Sequence, residues 1–171
     1  DSGIPLIRTG NLKYGELVLK NLKYVTEEFH NKQIKSQLNE GDLLIARHGD
    51  YGQACVLPKN LEGANCLNIV IIKPDFSYFL PLFLKYFFNS SFMQNQFKKL
   101  AEGSTQKVIS TTQIANTKVI MPPLKDQKRI VDSLNSLEKF LHLLNKKVAH
   151  IESLKKSLSK DLLSGEKGVH L

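Results

Sequence analysis

Along the last third of the chain, apolar residues recur at steps of three and four: Ile130, Leu134, Leu137, Leu141, Leu144, Val148 and Ile151. That spacing puts them on one face of a helix as a heptad seam. No proline or glycine interrupts the run between Pro123 and Gly165. The pattern therefore predicts one long helix over 124–164, with 165–171 as a C-terminal tail. About forty residues rising 1.5 Å each make a rod of roughly 60 Å, twice the width of a domain of about 120 residues. Most of the rod is expected to project and to need another helix alongside. Beyond Ile151 the spacing loosens to Leu154, Leu158 and Leu162, which turns the stripe around the helix and locally changes the supercoil.

In front of the helix, brief apolar or β-branched runs bounded by Gly, Asn, Asp or Pro predict short, mostly buried strands. They are Ile4 to Arg8, Leu43 to Arg47, Gln53 to Leu57, Cys66 to Lys73 and Lys118 to Met121. Two short helices follow the strands. One runs from Leu80 to Asn89, with Ser77 as a candidate cap and Pro81 near the first turn. The other runs from Phe92 to Ala101 and stops at Gly103. The aromatic cluster Phe76, Tyr78, Phe79, Phe83, Tyr86, Phe87 and Phe88 is dense enough to read as core rather than as a base-stacking surface. Residues 1–123 thus form a small mixed domain, and the fold class is α+β: this domain, then one long C-terminal α-helix whose heptad seam needs a partner helix.

Charge changes the picture next. The chain has 171 residues and a formal net charge of +8, with the excess divided equally between residues 1–123 and 124–171. A basic surface of this kind favours a polyanionic partner. The strongest apolar run, Phe76 to Phe88, is too short to span a bilayer and holds Pro81 and Lys85, so no membrane partner is expected. No secretory signal is expected. Cys55 and Cys66 sit in apolar runs without a metal-ligand neighbour at useful spacing, and they read as buried reduced thiols of a cytoplasmic protein. The chain opens at Asp1 without an initiator methionine, so a fragment or a processed product is expected.

Polar groups gather at three strand ends, where loops carry function. The first is Arg8-Thr9-Gly10-Asn11, in which glycine is expected to let the chain turn. In the second, the strand from Leu43 delivers Arg47 and His48 into a glycine-hinged loop through Tyr51 to Gln53. The third is Ser104-Thr105-Gln106-Lys107. The donor and acceptor geometry of Arg, Asn and Gln matches base edges, while Ser, Thr and Lys suit phosphate oxygens. Arg47, Gln53, Asn11 and Gln106 are therefore the expected base readers. Arg8, Ser104, Thr105, Lys107 and Tyr51 are expected mainly to hold the backbone, Thr9 to contact DNA, and His48 to touch a base or a phosphate.

Five blocks in order then resemble a known family. They are Gly3-Ile4-Pro5 with Ile7-Arg8-Thr9-Gly10-Asn11; Gly41-Asp42-Leu43-Leu44-Ile45-Ala46-Arg47 with Gly49 and Gly52; Gly103-Ser104-Thr105-Gln106-Lys107-Val108-Ile109; Pro122-Pro123-Leu124 with Gln127 and Ile130; and Leu154-Lys155-Lys156-Ser157-Leu158 with Leu162-Leu163-Ser164-Gly165. Together they resemble the specificity subunit of type I restriction-modification enzymes. The resemblance implies a target recognition domain that reads half of a bipartite duplex DNA site, followed by one spacer helix of an antiparallel coiled coil that separates two such domains. Ile130, Leu134, Leu137, Leu141, Leu144, Val148, Ile151 and Leu158 would form the helix interface, with a second domain-plus-helix repeat or a homodimer mate across it. It further implies methyltransferase and restriction subunits as partners, with S-adenosylmethionine, ATP and Mg bound by those partners and none in this chain. Where the family usually has Glu before Gln127, this chain has Asp126, which keeps an acid in the first helical turn.

Catalysis is not expected of the chain itself. Met121-Pro122-Pro123-Leu124 shares only its prolines with the Asn-Pro-Pro-Tyr motif of adenine methyltransferases, lacking the amino-group holder and the stacking aromatic. No glycine-rich turn for S-adenosylmethionine is present. Pro74-Asp75 and Asp126-Gln127-Lys128 lie too far apart for a metal-dependent nuclease, and the second opens a helix. His30, His48, His142, His150 and His170 show no catalytic or metal spacing. Two rivals remain at this level: the recognition domain of a single-chain restriction-methylation enzyme, and a coiled-coil adaptor that binds no DNA.

Overall fold

The computed structural model describes residues 3–48, 52–102 and 108–164. Two compact units divide the chain, Asp1–Arg129 and Ile130–Leu171.

In the first unit, β1 (Ile4–Arg8) is the middle strand of a three-stranded sheet. It pairs antiparallel with β4 (Lys23–Val25) and parallel with β7 (Asn65–Leu67). The strands β2 (Leu12–Lys13) and β3 (Glu16–Leu17) form a tight hairpin. Its two central residues, Tyr14 and Gly15, have φ of 54° and 77°, the twist that a two-residue hairpin turn requires. The third sheet has β5 (Leu43–Ala46) between β6 (Ala54–Val56) and β8 (Ile69–Ile72), both antiparallel to it.

All four residues of β5 are buried, so both faces of this strand are covered. Leu44 and Ala46 join a core with Ile7, Leu12, Leu38, Cys55, Leu57 and Cys66. Alternation sends Leu43 and Ile45 to the other face. There α2 (Pro81–Asn89) packs on β5 and β6, and α3 (Ser91–Glu102) packs on α2. Phe88 and Phe97 stack across the two helices with ring centroids 6.0 Å apart. The Asn89 amide closes α2 onto β6: it accepts from Ala54 N at 2.9 Å and donates to Ala54 O at 2.7 Å.

Several expectations need correction. Cys66 to Lys73 is not one strand: Asn68, at φ 59°, breaks it so that β7 and β8 enter different sheets. Lys118 to Met121 forms no strand; it lies between a short helix, α4 (Thr111–Ala115), and the double proline, and Ile120 and Met121 are exposed. The cap of α2 is Leu80, with Pro81 at the first helical position, and Ser77 instead gives its N–H to Asp75 Oδ1. Of the aromatic cluster, Phe83 and Phe88 are buried, but Phe76 and Tyr78 are more than half exposed. Gly10 has no positive φ, and a Cβ there would meet nothing within 4 Å, so no turn depends on it. One further helix precedes β5: α1 (Glu27–Lys32), capped by Thr26 Oγ1, which accepts from Phe29 N at 3.2 Å.

The long helix is α5 (Leu124–Leu163), 40 residues, or about 60 Å. Its opening turn, within the first unit, is fastened by Gln127, which is fully buried. The side-chain oxygen accepts from Leu80 N at 2.9 Å, and the amide donates to Tyr78 O at 2.7 Å and Pro122 O at 2.9 Å. Three backbone groups at loop positions are thereby satisfied by one side chain. In the second unit the heptad residues lie in the open. Leu137, Leu141, Val148, Ile151 and Leu158 are each more than half exposed, Ile130 and Leu144 are 40% exposed, and Leu134 is partly buried.

Candidate nucleic-acid interface

The topology brings two of the three polar loops to one place. Parallel pairing sets Arg8 beside Leu67, so the chain leaves β1 and β7 at the same end of their sheet. Antiparallel pairing sets Ala46 beside Ile69. The residue between Leu67 and Ile69 is Asn68, and its left-handed conformation turns the chain from one sheet into the other. Arg8 and Thr9 thus arrive on one side of Asn68, and Arg47 and His48 on the other. Thr9 Oγ1 donates to Asn68 O at 2.9 Å and fastens the first side.

Around this junction lies a cleft of about 440 Å³, bordered by Arg8, Thr9, Lys20, Asn21, His48 and Asn68. Three basic side chains face it, and no carboxylate lines it among the described residues. A second cleft, of about 370 Å³, is apolar by contrast, walled by Val70, Ile72, Leu84, Phe88, Ile114 and Val119. The first has the chemistry of an anion site; the second does not.

The described residues just after the third loop are hydrogen-bonded to the start of the second. Arg47 Nε donates to Ile109 O at 3.3 Å, and Ile109 N donates to Arg47 O at 3.2 Å. Ile109 is itself fully buried, so the segment just after Lys107 is anchored where β5 ends. Tyr51, Ser104, Thr105, Gln106 and Lys107 lie outside the described residues. At the other end of the second loop, Gly52 has φ 82°, and a Cβ there would come within 2.4 Å of the Phe97 ring. Only glycine fits this approach. Gln94 Nε2 donates to Gly52 O at 2.9 Å and holds the same point.

Two expected base readers are placed differently. Asn11 is 5% exposed: its side-chain oxygen accepts from Arg8 N and its amide donates to Val18 O, each at 2.9 Å. Its side chain shapes the turn after β1, and it also lines the cleft. Gln53 is half-buried next to β6, its carbonyl accepting from Ala46 N at 2.9 Å, and it does not border the cleft. Conversely, Lys20, Asn21 and Asn68 were passed over in the sequence. The signal for Asn68 was an Asn interrupting an otherwise apolar run, a residue that accepts φ > 0 more readily than most. Lys20-Asn21 gave only an ordinary turn signal.

Both cysteines are buried free thiols. Burial pushes Cys55 from 9.0 to about 12 and Cys66 from 9.0 to about 11, so neither is a nucleophile at neutral pH. No grouping of His, Cys, Asp and Glu able to hold a metal occurs among the described residues. No helix among them is long and apolar enough to cross a membrane.

Comparison with known proteins places the fold and the family. Residues 1–153 match the family described as Type I restriction modification DNA specificity domain. The chain is 23% identical over 168 residues to the Type I restriction enzyme EcoBI specificity subunit of Escherichia coli, an alignment covering 96% of this chain and 35% of that protein. It is 25% identical over 173 residues to the MjaVIII specificity subunit of Methanocaldococcus jannaschii, covering 97% and 40%. The crystal structure of the HsdS subunit from Thermoanaerobacter tengcongensis shares the fold, with a TM-score of 0.73 at 19% identity over 92% of this chain and 41% of that one. So does a chain from a study of complex assembly and conformational transition of the type I R-M system, with a TM-score of 0.74 at 19% identity over 100% and 45%. The chain thus spans less than half the length of these relatives. With fold and family match in agreement, it belongs to the type I restriction modification DNA specificity domain family.

Proposed function

We propose that this chain is a DNA sequence-recognition element of a type I restriction-modification system and reads one half of a bipartite duplex target. The observation that carries the reading is the meeting of the loops after β1 and β5 at Asn68, around a cleft faced by Arg8, Lys20 and His48. Ile109, two residues after Lys107 in the sequence, is hydrogen-bonded to Arg47 at the end of β5. Loops on a rigid sheet edge can hold side chains against base edges, while the surrounding cations neutralise phosphates and set the register. In this reading Arg47 and Gln106 carry base readout. Residues 1–123 act as the reading head and 124–164 as the spacer. The spacer pairs antiparallel, through its heptad stripe, with the helix of a second repeat or of a second copy of this chain.

The chain itself performs no catalysis in this account. It works in the cytoplasm as a scaffold for methyltransferase subunits, which bring S-adenosylmethionine, and for a restriction subunit, which brings ATP and Mg. The experiment is a titration of the chain onto duplex DNA across a range of salt. Binding should weaken linearly in log[salt], as counterion release requires. Arg47→Ala should cost about 1–3 kcal/mol and relax one base position. An absence of salt-sensitive binding contradicts the reading and favours a protein-binding adaptor.

A further inference from the structure

We infer that the cleft at Asn68 is a seat for one phosphate of the DNA backbone, and that Lys20 and Asn21, on the segment leading into β4, hold it together with Arg8 and His48. The inference rests on the reading of the head as a DNA binder, and it adds the part of the duplex that enters this cleft.

Shape decides first. Base edges of a duplex are recessed in grooves and are reached by parts of a protein that protrude. A hollow in the protein is filled by what protrudes from the duplex, which is the sugar-phosphate backbone. Charge agrees: Arg8, Lys20 and His48 border the cleft from three separate segments, and no carboxylate competes with an anion there among the described residues.

Backbone conformation adds a third argument. Asn21 and Asn68, with φ of 60° and 59°, are two of the three non-glycine residues at positive φ among the described residues, and both border this cleft. Each fixes its side chain beside the hollow through a turn. Asn68 also has its carbonyl tied to Thr9, so the floor of the seat is built before a ligand arrives. Neither Lys20 nor Asn21 forms part of the core, and both can be changed without disturbing the sheets.

The test is a salt titration of the full chain on duplex DNA, comparing the unaltered protein with Lys20→Gln and Asn21→Gly. Glycine at 21 keeps the left-handed backbone and removes only the amide. Circular dichroism first confirms that each variant folds. Lys20→Gln should reduce the slope of log K against log[salt] by about 0.9 and weaken every sequence alike, leaving base preference unchanged. Asn21→Gly should weaken binding several-fold at unchanged slope, as expected of a neutral hydrogen-bond donor to a phosphate. A Lys20→Gln protein with an unaltered slope overturns the seat, and so does one with altered base preference, which would make the cleft a base reader. If the unaltered protein shows no salt-sensitive binding, the DNA reading fails and the seat fails with it. If it does bind, failure of the variants counts against the seat alone.

Discussion

The proposed reading head and the proposed spacer helix use the same kind of residue in opposite ways. In β5 the sequence Leu43-Leu44-Ile45-Ala46 is wholly buried, with α2 over one face and the Ile7, Cys55 and Cys66 core over the other. In α5 the residues Leu137, Leu141, Val148 and Ile151 form an equally regular apolar pattern, yet each is more than half exposed in the chain alone. A buried strand is already stabilised by its own chain, whereas an exposed heptad stripe gains its hydrophobic free energy only when a second helix covers it. The head should therefore report mutations as loss of folding, and the spacer should report them as loss of association.

The largest effect is expected at Gln127. Gln127→Leu would leave Leu80 N–H and the Tyr78 and Pro122 carbonyls without their partner, and should cost about 3 kcal/mol or more in urea or thermal unfolding. A change below about 1 kcal/mol would show that water replaces the amide and that the junction is looser than its hydrogen bonds indicate. On the spacer, Leu141→Glu combined with Leu144→Glu should leave unfolding of the head unchanged. It should abolish helix pairing, since each covered leucine contributes about 2 kcal/mol, and sedimentation would read the loss. Destabilisation of the head by the same pair would erase the contrast.

These two regions were also unequally legible in the sequence. The spacer announced itself because seven apolar positions at heptad steps and the absence of Pro and Gly leave few alternatives. β1, β5, β6, α2 and α3 were legible from compact apolar runs and from Pro81. The two- and three-residue strands β2, β3 and β4 were not, since so short a stretch shows no alternation. α4 was missed although Ser110 and Gln113 form a reciprocal capping box, a recognisable signature. In the candidate site, Arg8, Thr9, Arg47 and His48 stood out as polar residues at strand ends. Lys20, Asn21 and Asn68 did not, because their place depends on the long-range pairing of β1 with β7, which no local pattern encodes. Asn11 shows the complementary difficulty: the residue type suited to an adenine edge suits a turn equally well, and here it shapes the turn while lining the cleft.

Smaller effects sharpen the picture of the head. Cys55 and Cys66 are pushed up by burial to about 12 and about 11, so the unfolded chain loses its thiol protons before the folded one does. Stability from the neutral thiols should be complete below about pH 9 and should fall as pH rises from there toward 11 to 12. Double Cys→Ala variants should lose that alkaline slope, although they are less stable at neutral pH. In the native protein near pH 8, thiol reagents should react at a rate set by opening of the fold. The smallest change is expected at the hairpin tip, where Tyr14 is 94% exposed and held at φ 54°. Tyr14→Asn should raise stability by up to about 1 kcal/mol, since Asn tolerates this conformation better. A loss instead would mean that the Tyr14 ring contributes a contact.

The most direct test of the central claim is selection of bound duplexes from a random library by the chain assembled with its partner subunits and second helix. The account predicts enriched sequences with two fixed half-sites separated by a constant, unread spacer, and with one half-site relaxed at a single position by Arg47→Ala. Recovery of sequences with no common motif, or of one contiguous motif indifferent to Arg47, would contradict it.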